Sequence, residues 1–314
     1  MFRTATIGPL LLAVSCADTD GRSSPVRDTL VVYEAASLAG PMRAVLDSFA
    51  RQTGAVVMEE HGASLELARR VTELHRIPDV IALADHEVFP ELLIPGAASW
   101  YATFARNRMV VAYTGRSRHA ADVTASNWRS ILLRPDVLLG RTDPQLAPAG
   151  YRALLVYRLA EAYYHDDGLA RRLEARTPPR LLRGNAAELA ALLSAGELDY
   201  IIEYESLARA QRFKFVTLPA AIDLGDPEQA ASYAAASVRV GKGQTTVTRR
   251  GAPILYGVSV PREAPHAGVG VRFLGFLFGA AGQSMLRTAY VDVLARPMLI
   301  GDSVPVSLRP LAAP

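Results

Sequence analysis

Apolar and polar positions along the chain follow two spacings. Thr29 to Tyr33 (TLVVY) is an unbroken apolar run, the pattern of a strand buried on both faces. Leu38, Met42, Val45, Leu46 and Phe49 then recur every three or four residues and predict a helix from about Leu38 to Gln52 with one apolar face. Val56 to Glu60 reads as a second strand, Leu65 to about His75 as a helix and Asp79 to Ala84 (DVIALA) as a third strand. Strands and helices alternating at this length predict an α/β lobe, its parallel or mixed sheet covered by helices.

A second complete set of elements follows. Met109 to Tyr113 (MVVAY) predicts a strand, and a helix is expected after Asn127-Trp128. A strand near Val137 to Gly140, a long helix from Pro148 to about Tyr164, a helix from Ala186 to Ala195 and a strand from Tyr200 to Tyr204 come next. Pro253 to Val260 (PILYGVSV) is a further strand, and His266 to Phe278 and Gln283 to Thr288 close the chain as helices. This order predicts two α/β lobes, the second inserted in the first: residues 29–112 and 254–314 as lobe 1, residues 113–253 as lobe 2. Two crossover strands would form the hinge, and a ligand would sit in the cleft at the carboxyl ends of the strands. Gly241-Lys242-Gly243-Gln244 and Arg249-Arg250-Gly251 flank a surface hairpin that reads as a solvated loop.

Composition supports this division. Of 314 residues, 50% are hydrophobic and 21% charged, enough for two cores of ordinary size. Lys and Arg exceed Asp and Glu by 34 to 31 without a long run of one sign, too even for a nucleic-acid arm. The single Cys excludes an internal disulfide framework and a Cys-cluster zinc site. That residue is Cys16, directly after Ala13-Val14-Ser15 and a short apolar stretch from Ile7 that opens on Met1-Phe2-Arg3. Such a beginning is an export signal, too short to span a bilayer, and it resembles a bacterial lipoprotein signal. The resemblance makes residues 1–16 the signal ending at the lipidated Cys16 and residues 17–28 a tether. It places the body in the bacterial cell envelope, held to the membrane through several acyl chains, since one gives only marginal attachment. Ala13 stands where Leu is usual three residues before the Cys, so simple export remains an alternative.

The common catalytic motifs are absent from the sequence: no nucleophile elbow, no P-loop, no His-Glu-x-x-His and no EF-hand loop. His61, His75, His86, His119, His165 and His266 are scattered without metal-ligand spacing. No enzyme, no metal and no cofactor is therefore expected. What recurs is a set of helix beginnings rich in small residues: Ala35-Ala36-Ser37-Leu38, Gly62-Ala63-Ser64-Leu65, Ala147-Pro148-Ala149-Gly150-Tyr151 and Asn185-Ala186-Ala187-Glu188. Each serine taken alone reads as an N-cap. Taken together, four helix N-termini turned into one cleft would hold an anion by unpaired N–H groups without Lys or Arg. A lining of donors favours a fully deprotonated oxyanion over a ligand that keeps a proton.

The residues Tyr33-Glu34-Ala35-Ala36-Ser37-Leu38, Asp79-Val80, Ala84-Asp85, Trp100 to Asn107, Gly150-Tyr151-Arg152, Gly196-Glu197-Leu198-Asp199-Tyr200 and Ile254 to Val258 carry a resemblance. In order and across both lobes, they look like the tungstate/molybdate-binding proteins of ABC importers, in the branch first described from archaea. The resemblance implies a type II periplasmic-binding, Venus-flytrap fold. It implies a monomer that closes on a tetrahedral oxyanion, molybdate or tungstate, and delivers it to an ABC permease and its ATPase. Family ligand contacts fall by position on Ser37 and Ser64, on Ala147 and Ala149, on Ala186 and on Tyr204. Glu203, beside Tyr204 in a strand, would point away from the site. The two carboxylates with which that branch adds to the metal's coordination are matched here to Ala147 and Ala186, so a four-coordinate oxyanion held by hydrogen bonds is expected. Sulfate or another solute, and an oxyanion-sensing lipoprotein that signals to a membrane receptor, are the alternatives.

Overall fold

A computed structural model describes Met1 and residues 28–241 and 246–313. Cys16 and the rest of the signal after Met1, residues 17–27 of the tether and residues 242–245 lie outside the described residues.

The first lobe begins with β1 (Thr29–Ala35), α1 (Ala39–Thr53), β2 (Val56–Gly62), α2 (Ser64–Glu73), β3 (Val80–Leu83) and β4 (Trp100–Asn107). The chain continues through β5 (Met109–Tyr113), α3 (Trp128–Leu132), β6 (Leu139–Thr142), α4 (Pro148–Tyr164), α5 (Leu169–Ala175), β7 (Leu182–Arg183) and α6 (Ala186–Ala195). After these come β8 (Tyr200–Tyr204), α7 (Glu205–Ala210), β9 (Lys214–Thr217), α8 (Ala230–Tyr233), β10 (Ser237–Val240) and β11 (Val247–Arg250). It closes with β12 (Ile254–Ser259), α9 (Ala267–Phe278), α10 (Ala280–Thr288) and β13 (Asp292–Gly301).

The strands form a six-stranded sheet ordered β13-β4-β12-β3-β1-β2, a five-stranded sheet ordered β7-β6-β8-β5-β9 and the β10-β11 hairpin. Both main sheets are mixed: β1 runs parallel to β2 and β3 and β6 parallel to β8, whereas β12 and β5 pair antiparallel to their neighbours. The two-lobed α/β architecture is thus the one the apolar spacing implied. Alternate residues of β1 divide the first sheet's faces: Leu30 and Val32 meet Met42, Val45 and Phe49 of α1, while Tyr33 packs with Leu65 and Leu67 of α2. Each such side chain fully removed from water contributes about 1.5–3 kcal/mol. Phe49 also meets Phe273 of α9 edge to face at 5.3 Å, closing that layer.

The boundary between lobes differs from the expected 112/113. β5 lies between β8 and β9, so the chain leaves the first sheet at Arg108 and returns between Arg250 and Ile254. An apolar run marks a strand without naming its sheet. β4 and β13 are additions to the first sheet. β4 carries Thr103 and Arg106 among its apolar residues, and β13 is an edge strand with Pro297 at an irregularity in its register, where a missing donor is tolerated.

Candidate functional site

The lobes meet around a small cavity with about 250 Å³ of space between its lining atoms. Ser37, Ser64, Ala147, Ala149, Ala186 and Tyr204 all line it, with Thr142, Asn185, Glu203 and the small residues of the first two helix starts. No Lys or Arg side chain is in that lining. Its geometry follows from where each helix begins: α1 and α2 come off the carboxyl ends of β1 and β2, and α4 follows β6.

The helix starts differ in detail from simple capping. Ser37 lies in the turn before α1, whose N-cap is Leu38, and makes no capping bond. Its Oγ is buried without a hydrogen bond of proper geometry, beside the Tyr256 hydroxyl. Ser64 is the first residue of α2, and its Oγ accepts the Ala84 N–H at 3.1 Å. At α4, Ala147 is the N-cap and Pro148 the first helical residue, where a missing N–H removes nothing. Gly150 is required there: a Cβ would sit 2.5 Å from the Thr142 carbonyl oxygen and 2.6 Å from the Pro144 nitrogen. α6 has the cap its sequence announced, Asn185 Oδ1 accepting the Glu188 N–H at 3.0 Å and Glu188 accepting the Gly184 N–H at 3.2 Å. The first-turn N–H groups at Ala149 and Ala186 have no acceptor inside their own helices and carry the positive end of each helix dipole.

The hydroxyls are arranged as donors. Arg152 Nη1 donates to the Tyr204 hydroxyl oxygen at 2.7 Å, as the Ala84 N–H donates to Ser64, so each hydroxyl keeps its hydrogen for the cavity. Thr142 Oγ1 is fully buried and without a hydrogen bond. Burying an unpaired polar group costs about 1–3 kcal/mol, and a ligand of oxygen acceptors would recover it at Ser37 and Thr142 together.

Glu203 corrects the expectation that it faces away. It lines the cavity next to Tyr204, fully buried, with Oε2 accepting the Tyr204 N–H at 2.8 Å and Oε1 unpartnered. Burial raises its carboxyl to about 7, against the lowering effects of the Tyr204 N–H and the Arg152 charge. Strand alternation fails here because β8 ends at Tyr204 and the cavity lies off that end instead of on one face of the sheet. Ala147 and Ala186 do leave their positions without carboxylates, yet the cavity retains one at Glu203. Thr142, too, escaped the sequence reading; its place at the carboxyl end of β6 was the available signal.

Arg152 has a second role. Its Nη2 meets Asp85 Oδ1 at 3.1 Å, its Nη1 also donates to the Ala84 carbonyl at 2.7 Å, and the neighbouring Tyr151 hydroxyl donates to Asp85 Oδ2. Asp85 and Ala84 follow β3 in the first lobe, whereas Tyr151 and Arg152 belong to α4 in the second. Burial would raise the Asp85 carboxyl, but the Arg152 charge and the Tyr151 hydroxyl hold it below its ordinary range. A backbone bond from Leu65 N–H to the Leu146 carbonyl at 3.3 Å and an Arg249–Glu91 ion pair also join the lobes.

Residues 30–290 match the family described as bacterial extracellular solute-binding protein. An uncharacterized solute-binding protein of Petrotoga mobilis is 40% identical over 82% of this chain and 81% of its own length. The molybdate/tungstate-binding protein WtpA of Thermococcus kodakarensis is 32% identical, covering 96% of this chain and 94% of that one. Among solved structures, the periplasmic molybdate-binding protein of Azotobacter vinelandii superposes with a TM-score of 0.60 at 17% identity, over 83% of this chain and 98% of that one, a likeness of fold.

Proposed function

The chain belongs to the bacterial extracellular solute-binding protein family, and from that premise we propose that it captures a tetrahedral oxyanion, molybdate or tungstate, between its lobes and delivers it to an ABC permease. The observation that carries this reading is the donor lining. Two hydroxyls engaged on their acceptor side, two more without partners and four helix N-termini surround a small cavity whose lining holds no Lys or Arg. Such groups match the acceptor-only oxygens of a dianion, whose desolvation charge-assisted hydrogen bonds of about 1.5–3 kcal/mol each would offset. Members of the family carry solutes and are not enzymes, and the cavity lining contains no His to activate Ser37 or Ser64.

Glu203 enters this reading as a neutral acid. With its carboxyl near 7, Oε1 unpartnered and the residue lining the cavity, the protonated form offers one more donor, whereas the carboxylate would repel a dianion. Binding therefore favours the protonated state. Closure follows from ligand contacts on both lobes, a population shift that the Asp85–Arg152 pair stabilises once the lobes meet. Lipid attachment at Cys16 would keep the body beside its permease.

X-ray absorption at the metal edge of the molybdate complex tests the site chemistry. Four equivalent short oxygens support a hydrogen-bonded tetrahedral ion, and a fifth or sixth oxygen would show that Glu203 bonds to the metal. A gene neighbourhood with a permease and an ATPase supports delivery; a neighbouring receptor kinase would favour oxyanion sensing.

A further inference from the structure

One residue before Ala35 and Gly62 of the cavity lining, the β2 edge of the first sheet brings together three groups with no part in the function above. Glu34 of β1 and His61 of β2 are direct partners in the parallel register, and Glu59 precedes His61 by two residues on the same strand face. His61 Nε2 lies 3.0 Å from Glu34 Oε1 and 3.3 Å from Glu59 Oε2, and one donor atom from each residue falls within 4.8 Å of the others.

One ring nitrogen therefore faces two carboxylates. A single N–H cannot serve both, and Glu34, with a side chain wholly shielded from solvent, has neither oxygen in a hydrogen bond. The nearby Arg43 offers little, its Nη2 being 4.0 Å from Glu59 on a side chain 61% exposed. His119 shows the contrast: it meets Asp122 through Nδ1 and Asp136 through Nε2, an arrangement that a doubly protonated ring can satisfy. At His61, one cation placed among the three donors would satisfy them all. Zinc bonds to His nitrogen and carboxylate oxygen at about 2.0–2.2 Å, which sets donor-to-donor separations of about 3–3.6 Å.

We propose that Glu34, Glu59 and His61 form a binding site for a divalent transition-metal ion of zinc type, with water completing the coordination. The imidazole and mixed carboxylates suit zinc over calcium or magnesium, which take oxygen donors. The ion would tie the edge strand β2 to β1 and neutralise the buried Glu34 carboxylate. Its ligands must be deprotonated, so uptake releases protons and weakens in acid.

Calorimetric titration of zinc chloride into the tag-free full chain, without oxyanion, tests the site. The expected result is one zinc per chain, a raised melting temperature, and affinity at least tenfold weaker in both His61→Gln and Glu34→Gln. His61 is partly exposed, so its variant reports even where Glu34→Gln disturbs folding; circular dichroism checks both. Absence of zinc binding by the parent chain, or binding unchanged in His61→Gln, overturns the proposal.

Discussion

Arg152 reaches from the start of α4 to Asp85 at the end of β3, 3.1 Å across the junction of the lobes, and both side chains are almost wholly buried. The same guanidinium holds the Tyr204 hydroxyl, so one side chain links lobe contact to the cavity wall. Breaking a buried pair by removing one partner is destabilising by about 3–5 kcal/mol, because the other charge stays unpaired. Asp85→Asn should therefore weaken oxyanion binding at least tenfold, with small-angle scattering showing a more open ligand-free chain. Equal affinity and an unchanged scattering profile would remove the pair from closure. The Asp85 carboxyl is held below its ordinary value, so its contribution is present above that value and is lost only as pH falls through the depressed one.

The cavity hydroxyls separate by what else they do. Ser37→Ala should weaken oxyanion binding about tenfold with little change in melting temperature, since Ser37 Oγ caps no helix. Ser64→Ala should lower both, because the Ala84 N–H loses its acceptor. Thermal unfolding beside calorimetry of each variant checks the difference.

Glu203 sets the pH dependence. Its carboxyl is pushed up to about 7, so the neutral form prevails below that value and the charged form above it. Oxyanion affinity should hold below pH 7 and fall by up to about tenfold per unit above it, and Glu203→Gln should flatten the profile. The stability sign is the same: a raised acid stabilises the folded chain at low pH and loses that contribution as pH rises through about 7. Affinity that rises with pH would mean that the carboxylate itself bonds to the metal.

Gly150 tests the backbone of the site. Gly150→Ala drives a Cβ into the Thr142 carbonyl and the Pro144 nitrogen, so the start of α4 must shift. The expected result is about 1–3 kcal/mol lower stability and at least tenfold weaker binding, read by denaturant unfolding and calorimetry.

Much of this site was legible in the sequence because its chemistry is local. A strand end followed by small residues and a helix start is visible in Ala35 to Leu38 and Gly62 to Leu65, and the elements at 148–164, 186–195 and 200–204 fall where the spacing put them. What escaped depends on three-dimensional placement. Glu203 was misassigned by a strand rule that stops applying at the strand's last residues, and Thr142 carries no motif at all. The sheet to which β5 belongs is fixed by pairing with β8 and β9, which its own five residues do not encode.

Isothermal titration calorimetry of the soluble body from about Ser24 with molybdate, tungstate, sulfate and phosphate at one pH tests the central claim most directly. The account predicts tight one-to-one binding of molybdate or tungstate with sulfate far weaker. Sulfate bound equally well, or no oxyanion bound at all, would contradict it.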